Sequence, residues 1–377
     1  MRGGILFVDD DVRVLEGLEN VLFDHDEAWG IAFATSGADA LQSMSEHVFD
    51  VVVTDMRMPG MDGAALIEAI RARWPETICI VLSGRTELDQ ARRALPLIMD
   101  YLAKPVSPER LIATLSRALA LARSCRSAAL KRVVGRLTGL PPRPRTPLEF
   151  DRLVARGAPL DEVAALLEQD PAITASLLHI VNSAFFASSR PVDQVRDAIV
   201  RLGLEYTGQV VMAASAFAAA NPHGDQTEVV FEHSCEVARV AQAIVAPADR
   251  RRAFLAGMLH DLGHVLMARH FPEASHLSPT ATGTFREPDP AQEEAVLGFG
   301  HAHCGAYLLR LWNLDDDVAM AVEHHHDPTA IAADERALAQ ALLAADVAVQ
   351  EASSNATWTP EDVVSRAREI VAAGGRA

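Results

Sequence analysis

Near the beginning of the chain, short apolar runs stop abruptly at polar residues. Val51-Val52-Val53-Thr54 ends at Asp55, and Ile78-Cys79-Ile80-Val81-Leu82 ends at Ser83. A further apolar segment closes in Val8-Asp9-Asp10, and Lys104 follows another, just before Pro105. Continuous apolar runs of this length predict strands buried on both faces, as in a parallel sheet. The period then changes. Ser107-Pro108-Glu109 offers a helix cap, a first-turn proline and an acid at the positive helix end. Leu111, Ile112, Leu115, Ala118, Leu119 and Ala122 keep helical spacing, and the pattern continues toward Val134, predicting one rigid connector helix. Leu140-Pro141-Pro142-Arg143-Pro144-Arg145-Thr146-Pro147 ends it and marks a boundary.

From Thr146-Pro147-Leu148-Glu149, a start signal with cap, proline and capping-box glutamate, the pattern stays helical to about Val349. It predicts helices over Asp161–Gln169, Pro171–Asn182, Val192–Leu202 and Val210–Ala219. Others are predicted around Glu232–Val245, Arg251–Arg269, Gln292–Leu311 and Asp316–His324. Ser353–Thr357 reads as a turn, Thr359-Pro360-Glu361-Asp362 caps a last short helix, and Gly374–Ala377 reads as frayed.

A chain of 377 residues, 49% of them apolar, has room for two or three domains with real cores. Few aromatics and abundant Ala and Leu lean toward helix. The formal charge of −17 disfavours nucleic-acid binding over the whole surface. Against it, Arg117 to Arg145 carries eight basic residues and no acidic one, which reads as a solvated connector paired with acidic neighbours, or else as a nucleic-acid contact. Cys79, Cys125, Cys235 and Cys304 are far apart and predict buried thiols in a reducing cytoplasm. Met1-Arg2-Gly3-Gly4 leads straight into a strand, so no signal peptide is expected. Val210 to Ala220 is too short to span a bilayer.

Strand ends carry the chemistry of open α/β sheets. Three carboxylates crowded there repel one another unless a hard cation such as Mg2+ joins them, and that cation can neutralise a phosphoryl group arriving at one of them. A lysine and a hydroxyl would grip the phosphoryl oxygens. The alternative is a solvated acidic edge. Val-Asp-Asp, Thr54-Asp55-Met56-Arg57-Met58-Pro59-Gly60-Met61-Asp62-Gly63 and Tyr101-Leu102-Ala103-Lys104-Pro105 resemble the receiver domain of two-component response regulators, over roughly residues 1–122. The resemblance implies a doubly wound, flavodoxin-like α/β fold with Asp55 as phosphoacceptor. It implies Mg2+ held directly by Asp10, Asp55 and the backbone carbonyl of Arg57, and by Asp9 mainly through water. Ser83 and Lys104 would hold the phosphoryl oxygens and Tyr101 would rotate as the switch. Ala94-Leu95-Pro96-Leu97-Ile98-Met99 departs from the small glycine-containing turn usual in receivers.

Ten of the fourteen histidines fall between His233 and His326. His233, His260-Asp261, His301, His324-His325-His326-Asp327 and Asp346 mix imidazole with carboxylate. That donor set suits a transition metal such as Fe, Mn or Zn and can activate water for attack on a phosphodiester. A satisfied core histidine is the alternative for each taken singly. His260 and His264, one turn apart on a helix, could form a separate zinc pair. His270, His276 and His303 read as surface or rim, His223 as loop.

The second half resembles an HDOD domain, an all-α module related to the HD phosphohydrolases. The motifs are Leu140-Pro141-Pro142, Asp170–Leu178, Asn182-Ser183-Ala184-Phe185-Phe186, Asp197–Gly203, Gly257–Gly263 and His301–Leu309 with Trp312. The division expected is receiver 1–122, helical connector 123–138, HDOD domain 139–350, and a 351–377 tail with a short helix. Family members are thought to act as interaction or regulatory outputs. Here His233, His260, Asp261, His301, His325, His326 and Asp346 match the metal-binding pattern of the related HD-GYP phosphodiesterases, although no Gly-Tyr-Pro follows His325-His326 and His264 replaces a customary lysine.

The resemblance therefore implies a cytoplasmic regulator phosphorylated by a sensor histidine kinase and acting through a downstream protein, with no membrane contact; a homodimer stays open. The alternative is a metal-dependent phosphohydrolase acting on a cyclic dinucleotide or other nucleotide. A DNA-binding reading rests on Asp161–Ser183 as two helices around a turn, but Ala172–Ser183 lacks the Arg, Lys and Gln expected of base contacts.

Overall fold

The computed structural model describes residues 4–84, 94, 97–137, 146–182, 192–218, 224–271, 289–353 and 357–373. Several features named above lie outside these residues: Leu95-Pro96, the proline boundary at 140–145, 183–186, His223, His276, most of the turn before Thr357, and the last four residues.

The apolar runs form β1 (Ile5–Val8), β2 (Ile31–Ala34), β3 (Val51–Thr54), β4 (Ile78–Ser83) and β5 (Asp100–Ala103) in one parallel sheet ordered β2-β1-β3-β4-β5. Nearly every residue of β1, β3 and β4 is buried, as expected for strands covered on both faces. Helices α1 (Val12–Leu22), α2 (Gly37–Glu46), α3 (Gly63–Arg73) and α4 (Pro108–Ser124) alternate with the strands. Asp11, Ser36, Asp62 and Ser107 cap them, each accepting a backbone N–H of the first turn. The register sets Val8 beside Thr54 and Ser83 beside Ala103. Asp9, Asp55, Ser83 and Lys104 thus stand together at the C-terminal ends of four strands.

The connector differs from the sequence expectation. α4 stops at Ser124, and a separate α5 (Ala128–Gly135) begins at Ser127, whose hydroxyl accepts the Leu130 N–H at 3.2 Å. Leu130 and Val134 are buried, so α5 folds back onto its own unit. A Cβ added to Gly135 would lie 1.7 Å from the Pro75 carbonyl oxygen, an approach only glycine allows. Arg71, on α3, fixes that corner. Its Nε donates to the Leu97 carbonyl at 2.9 Å, its Nη2 to the same oxygen, and its Nη1 to the carbonyls of Pro75 and Thr77, both at 3.2 Å. Parts of the basic run pair with acids, Arg117 with Asp100 at 3.2 Å and Arg123 with Asp50 at 3.8 Å, which favours the connector reading.

The chain divides into two compact units; the second is helical and holds the described residues from Thr146 on except His179–Asn182 and Leu311–Asn313, which group with the first. The helices from Thr146 on are α6 (Thr146–Ala155), α7 (Leu160–Leu167), α8 (Pro171–Asn182), α9 (Val195–Leu202), α10 (Leu204–Ala218) and α11 (Gly224–Ile244). They continue as α12 (Arg250–Leu259), α13 (Leu262–His270), α14 (Pro290–Leu297), α15 (His301–Leu311), α16 (Asp316–Glu323), α17 (Ala337–Ser353) and α18 (Pro360–Ala372). Two predicted helices are each broken in two. Arg251–Arg269 is interrupted at His260-Asp261, and Gln292–Leu311 at Gly298, which takes the left-handed φ of 77° that ends α14. Pro171–Val181 of α8 are all buried, so α8 offers no free face to a DNA groove. α11 packs on α12, α17 and α18. The last helix has its capping box formed by Thr359 and Asp362, buries Val363, Ala367 and Ile370, and is pinned by Arg366 gripping both oxygens of Glu351 at 2.7 and 3.0 Å. The four cysteines are buried and form no disulfide. No described helix is long and apolar enough to cross a membrane.

Candidate functional sites at the strand ends and among the helices

At the strand ends, the Lys104 ammonium donates to Asp9 Oδ2 and to Asp55 Oδ1, both at 2.6 Å. Burial pulls the lysine pKa down, but the hydrogen bonds and charges of Asp55 and Asp9 outweigh it and hold Lys104 above its ordinary value. Asp9 Oδ1 accepts the Asp11 N–H at 3.0 Å, and Asp55 Oδ2 accepts the Arg57 N–H at 2.7 Å, which sets the direction of each carboxylate. Ser83 is fully buried, and its Oγ accepts the Met56 N–H at 3.4 Å. Tyr101 is buried as well, and its hydroxyl donates to the Gly84 carbonyl at 2.9 Å, one residue past Ser83. Asp10 is exposed, and its carboxylate forms no tight trio with Asp9 and Asp55. Lysine thus gathers two of the three acids. The hard oxygen donors fit a Mg2+ ion held by few carboxylates and otherwise hydrated.

Among the described residues, every trio of ligand atoms within 4.8 Å of one another lies in the helical unit. The trios are His233-His260-Asp261, His260-His325-Asp346, Asp261-His264-His301 and His301-His325-His326. The break between α12 and α13 exposes the Asp261 carboxylate to several rings at once. Its Oδ1 lies 3.3 Å from His260 Nε2 and 3.8 Å from His301 Nε2, and its Oδ2 lies 3.9 Å from His233 Nε2. His233 Nε2 is also 2.9 Å from Asp346 Oδ1, which accepts the Gln350 amide at the same distance. His326 and His301 meet Nε2 to Nε2 at 2.9 Å. All these ligands except His326 are buried. Gly263 makes the close fit possible: a Cβ there would lie 1.9 Å from the His301 carbonyl oxygen.

The donor set passes a test of fit for a transition metal. His260 Nδ1 bonds the Gly257 carbonyl at 2.8 Å, His325 Nδ1 the Val322 carbonyl at 2.7 Å, and His301 Nδ1 the Glu293 carboxylate at 2.7 Å. These acceptors take only hydrogens, so each ring carries its proton on Nδ1 and turns the Nε2 lone pair toward the cluster. Metal-ligating histidines are held in this way.

All seven residues expected from sequence are thereby brought together. The shared helix face that would let His260 and His264 form a zinc pair is absent: the helix ends between them, and no tight trio contains both. His264 instead faces Asp261 and His301. His303 sits at the rim as expected, partly exposed and bonded to Glu323 at 3.1 Å. Glu293 was not foreseen. It is fully buried and accepts both the backbone N–H and the Nδ1 of His301, at 2.8 and 2.7 Å. Its only sequence signal is its place eight residues before His301, across a helix break.

A family profile described as HDOD domain matches residues 140–328, and one described as response regulator receiver domain matches residues 5–116. The transcriptional regulatory protein ZraR of Escherichia coli K12 is 39% identical over 119 residues, which span 31% of this chain but 26% of that protein. The chain thus spans about a quarter of the length of that relative. A signal receiver domain of an HD domain-containing protein from Pseudomonas fluorescens Pf-5 is 30% identical, with a TM-score of 0.31 over 33% of this chain and 90% of that one. The MmoQ response regulator from Methylococcus capsulatus Bath is 22% identical, with a TM-score of 0.49 over 61% of this chain and 93% of that chain.

Proposed function

Because the chain belongs to the HDOD family and carries a response regulator receiver domain ahead of that module, we propose that its switch is an acyl phosphate on Asp55 and its output the helical domain. A sensor histidine kinase in the cytoplasm would donate the phosphoryl group: the N–P bond to its histidine breaks as an O–P bond forms to the Asp55 carboxylate. Mg2+, held by Asp10, Asp55, the Arg57 carbonyl and the more distant Asp9, would supply positive charge against the phosphoryl oxygens. Lys104 moves its ammonium from the two carboxylates to a phosphoryl oxygen, and Ser83 offers its hydroxyl to another. Because Tyr101 bonds the carbonyl next to Ser83, a shift of Ser83 changes the acceptor that holds the ring in place. The switch is a local charge change biasing a two-state element, read by a downstream protein.

The observation that carries this reading is the Lys104 ammonium shared at 2.6 Å between Asp9 and Asp55, a preformed oxygen-facing cation beside the nucleophile. The test is incubation with a small phosphodonor and Mg2+. Wild type should acquire a hydroxylamine-sensitive phosphate and Asp55→Asn should not; equal labelling of both would remove the proposal.

One observation favours a second reading, that the helical domain is itself a metal-dependent phosphohydrolase acting on a cyclic dinucleotide or other nucleotide. The Nδ1 bonds of His260, His301 and His325 leave three Nε2 atoms for the cluster, where His325 shares one tight group with His260 and Asp346 and another with His301 and His326. Two metals there could activate a water between them. Metal content of protein purified without chelators, then hydrolysis assays with Mn2+ or Fe2+, separates a turnover site from a regulatory one.

A further inference from the structure

We propose that His264 is itself a metal ligand, at the His301 end of the cluster, and that Glu293 is the positioning residue that aims both rings; this rests on the reading that the helical domain binds metal. His264 lies three residues after Asp261, on the first turn of α13. Its ring stacks on that of His301 with centroids 3.8 Å apart and planes inclined by 21°. Both rings place the same nitrogen toward the same carboxylate: His301 Nδ1 lies 2.7 Å from Glu293 Oε2, and His264 Nδ1 lies 3.5 Å from Glu293 Oε1. They also place their other nitrogens toward one oxygen, His301 Nε2 at 3.8 Å and His264 Nε2 at 4.0 Å from Asp261 Oδ1.

A buried ion pair with Glu293 would account for the Nδ1 side of this arrangement. It gives no reason for two Nε2 atoms to converge on an aspartate oxygen beyond hydrogen-bond reach. A cation between them does. Two ligands each about 2.1 Å from one ion stand roughly 3–3.5 Å apart, so the separations of 3.8 and 4.0 Å here would close by about 0.3–1 Å on binding. The stacked rings and the single glutamate facing both make one unit: Glu293 Oε2 accepts from His301 Nδ1, its Oε1 faces His264 Nδ1 at 3.5 Å, and both Nε2 atoms lie within 4.0 Å of Asp261 Oδ1. His326, partly exposed, lies with its Nε2 2.9 Å from that of His301. Imidazole donors around one carboxylate select a transition ion over Mg2+.

The test is direct. Crystals of the full chain equilibrated with Mn2+ should show an anomalous peak within roughly 2.0–2.3 Å of both His264 Nε2 and His301 Nε2. In solution His264→Phe, which keeps a ring against His301, should bind one equivalent fewer of Mn2+. Glu293→Gln should weaken that equivalent about 10–100-fold, the usual cost of losing a ligand's orienting partner. A peak on His233, His260 or Asp346 with His264 outside the coordination shell overturns the assignment and leaves the metal reading intact. So does wild-type Mn2+ stoichiometry in His264→Phe. Mn2+-soaked crystals with no peak anywhere in the cluster overturn both readings. The wild-type map decides the matter even where a variant fails to fold.

Discussion

Replacing Gly263 with alanine tests the architecture of the histidine cluster with a single methyl group. The added Cβ would meet three main-chain atoms of His301: the carbonyl oxygen at 1.9 Å, the carbonyl carbon at 2.6 Å and Cα at 2.8 Å. Contacts under 3.0 Å force something to shift, and here no flexible side chain can move aside, so α13 and α15 must separate by more than an ångström. Overpacking of this kind costs about 1–3 kcal/mol. For a unit of this size, at about 2–4 °C per kcal/mol, that lowers the melting temperature by roughly 2–12 °C. The separation also draws Asp261 and His264 away from His301, and a displacement of about 1 Å suffices to cripple a preorganised site. Calorimetry of metal-free protein and Mn2+ binding by isothermal titration read the two effects separately. Gly263→Ala melting within a degree of wild type and binding Mn2+ equally well would refute the close helix approach and the site built on it.

Three further outcomes follow from particular contacts. Gly135→Ala, whose Cβ would press to 1.7 Å from the Pro75 carbonyl, should detach α5 and raise amide hydrogen exchange across residues 128–137; unchanged protection there contradicts the folded-back connector. Burial raises the Glu323 pKa, but hydrogen bonds and charges from His303 and Arg310 prevail and bring it from 4.5 to about 2. A folded pKa below the unfolded one adds stability that is present above about pH 4.5 and lost as pH falls toward 2, here on the order of 1–2 kcal/mol after solvent screening. Urea melts across that window should therefore show a shallower acid loss in Glu323→Gln, and an identical slope speaks against the pairing. Ile370→Ala should cost about 2–4 kcal/mol by emptying a buried site, which fluorescence-monitored unfolding would detect; a neutral result means α18 is not docked.

The strand ends were legible because a doubly buried strand is an uninterrupted apolar run, so the polar residue that closes it names its own position. Asp55 and Ser83 follow from that rule alone. Pro171–Asn182 was read at both ends because its proline suits a first helical turn and its apolar pattern has no break. The breaks that failed to show are of another kind. Nothing in Ser124-Cys125-Arg126-Ser127 forbids helix, and only the folding of α5 onto Pro75 makes a bend there favourable. His260 and His264 read as one face of a helix because the interruption at Asp261 comes from packing, not local propensity. Gly298 is a stop signal in kind, but a glycine inside a long helical pattern is also tolerated, so the sequence alone does not decide that it ends α14. Glu293 carried no local mark, since a glutamate on a helix is ordinarily solvated, and its burial depends on His301 arriving from a different helix.

Arg71 carries one more consequence. Its four hydrogen bonds all end on main-chain oxygens, of Leu97, Pro75 and Thr77. Side chains at those three positions can therefore drift over evolutionary time without loosening the corner, provided the backbone keeps its course. The arginine has no such latitude, because a lysine has one ammonium where the fork has several donors in a plane. Among homologues sharing this elbow, the guanidinium should persist while the residues it holds vary around it.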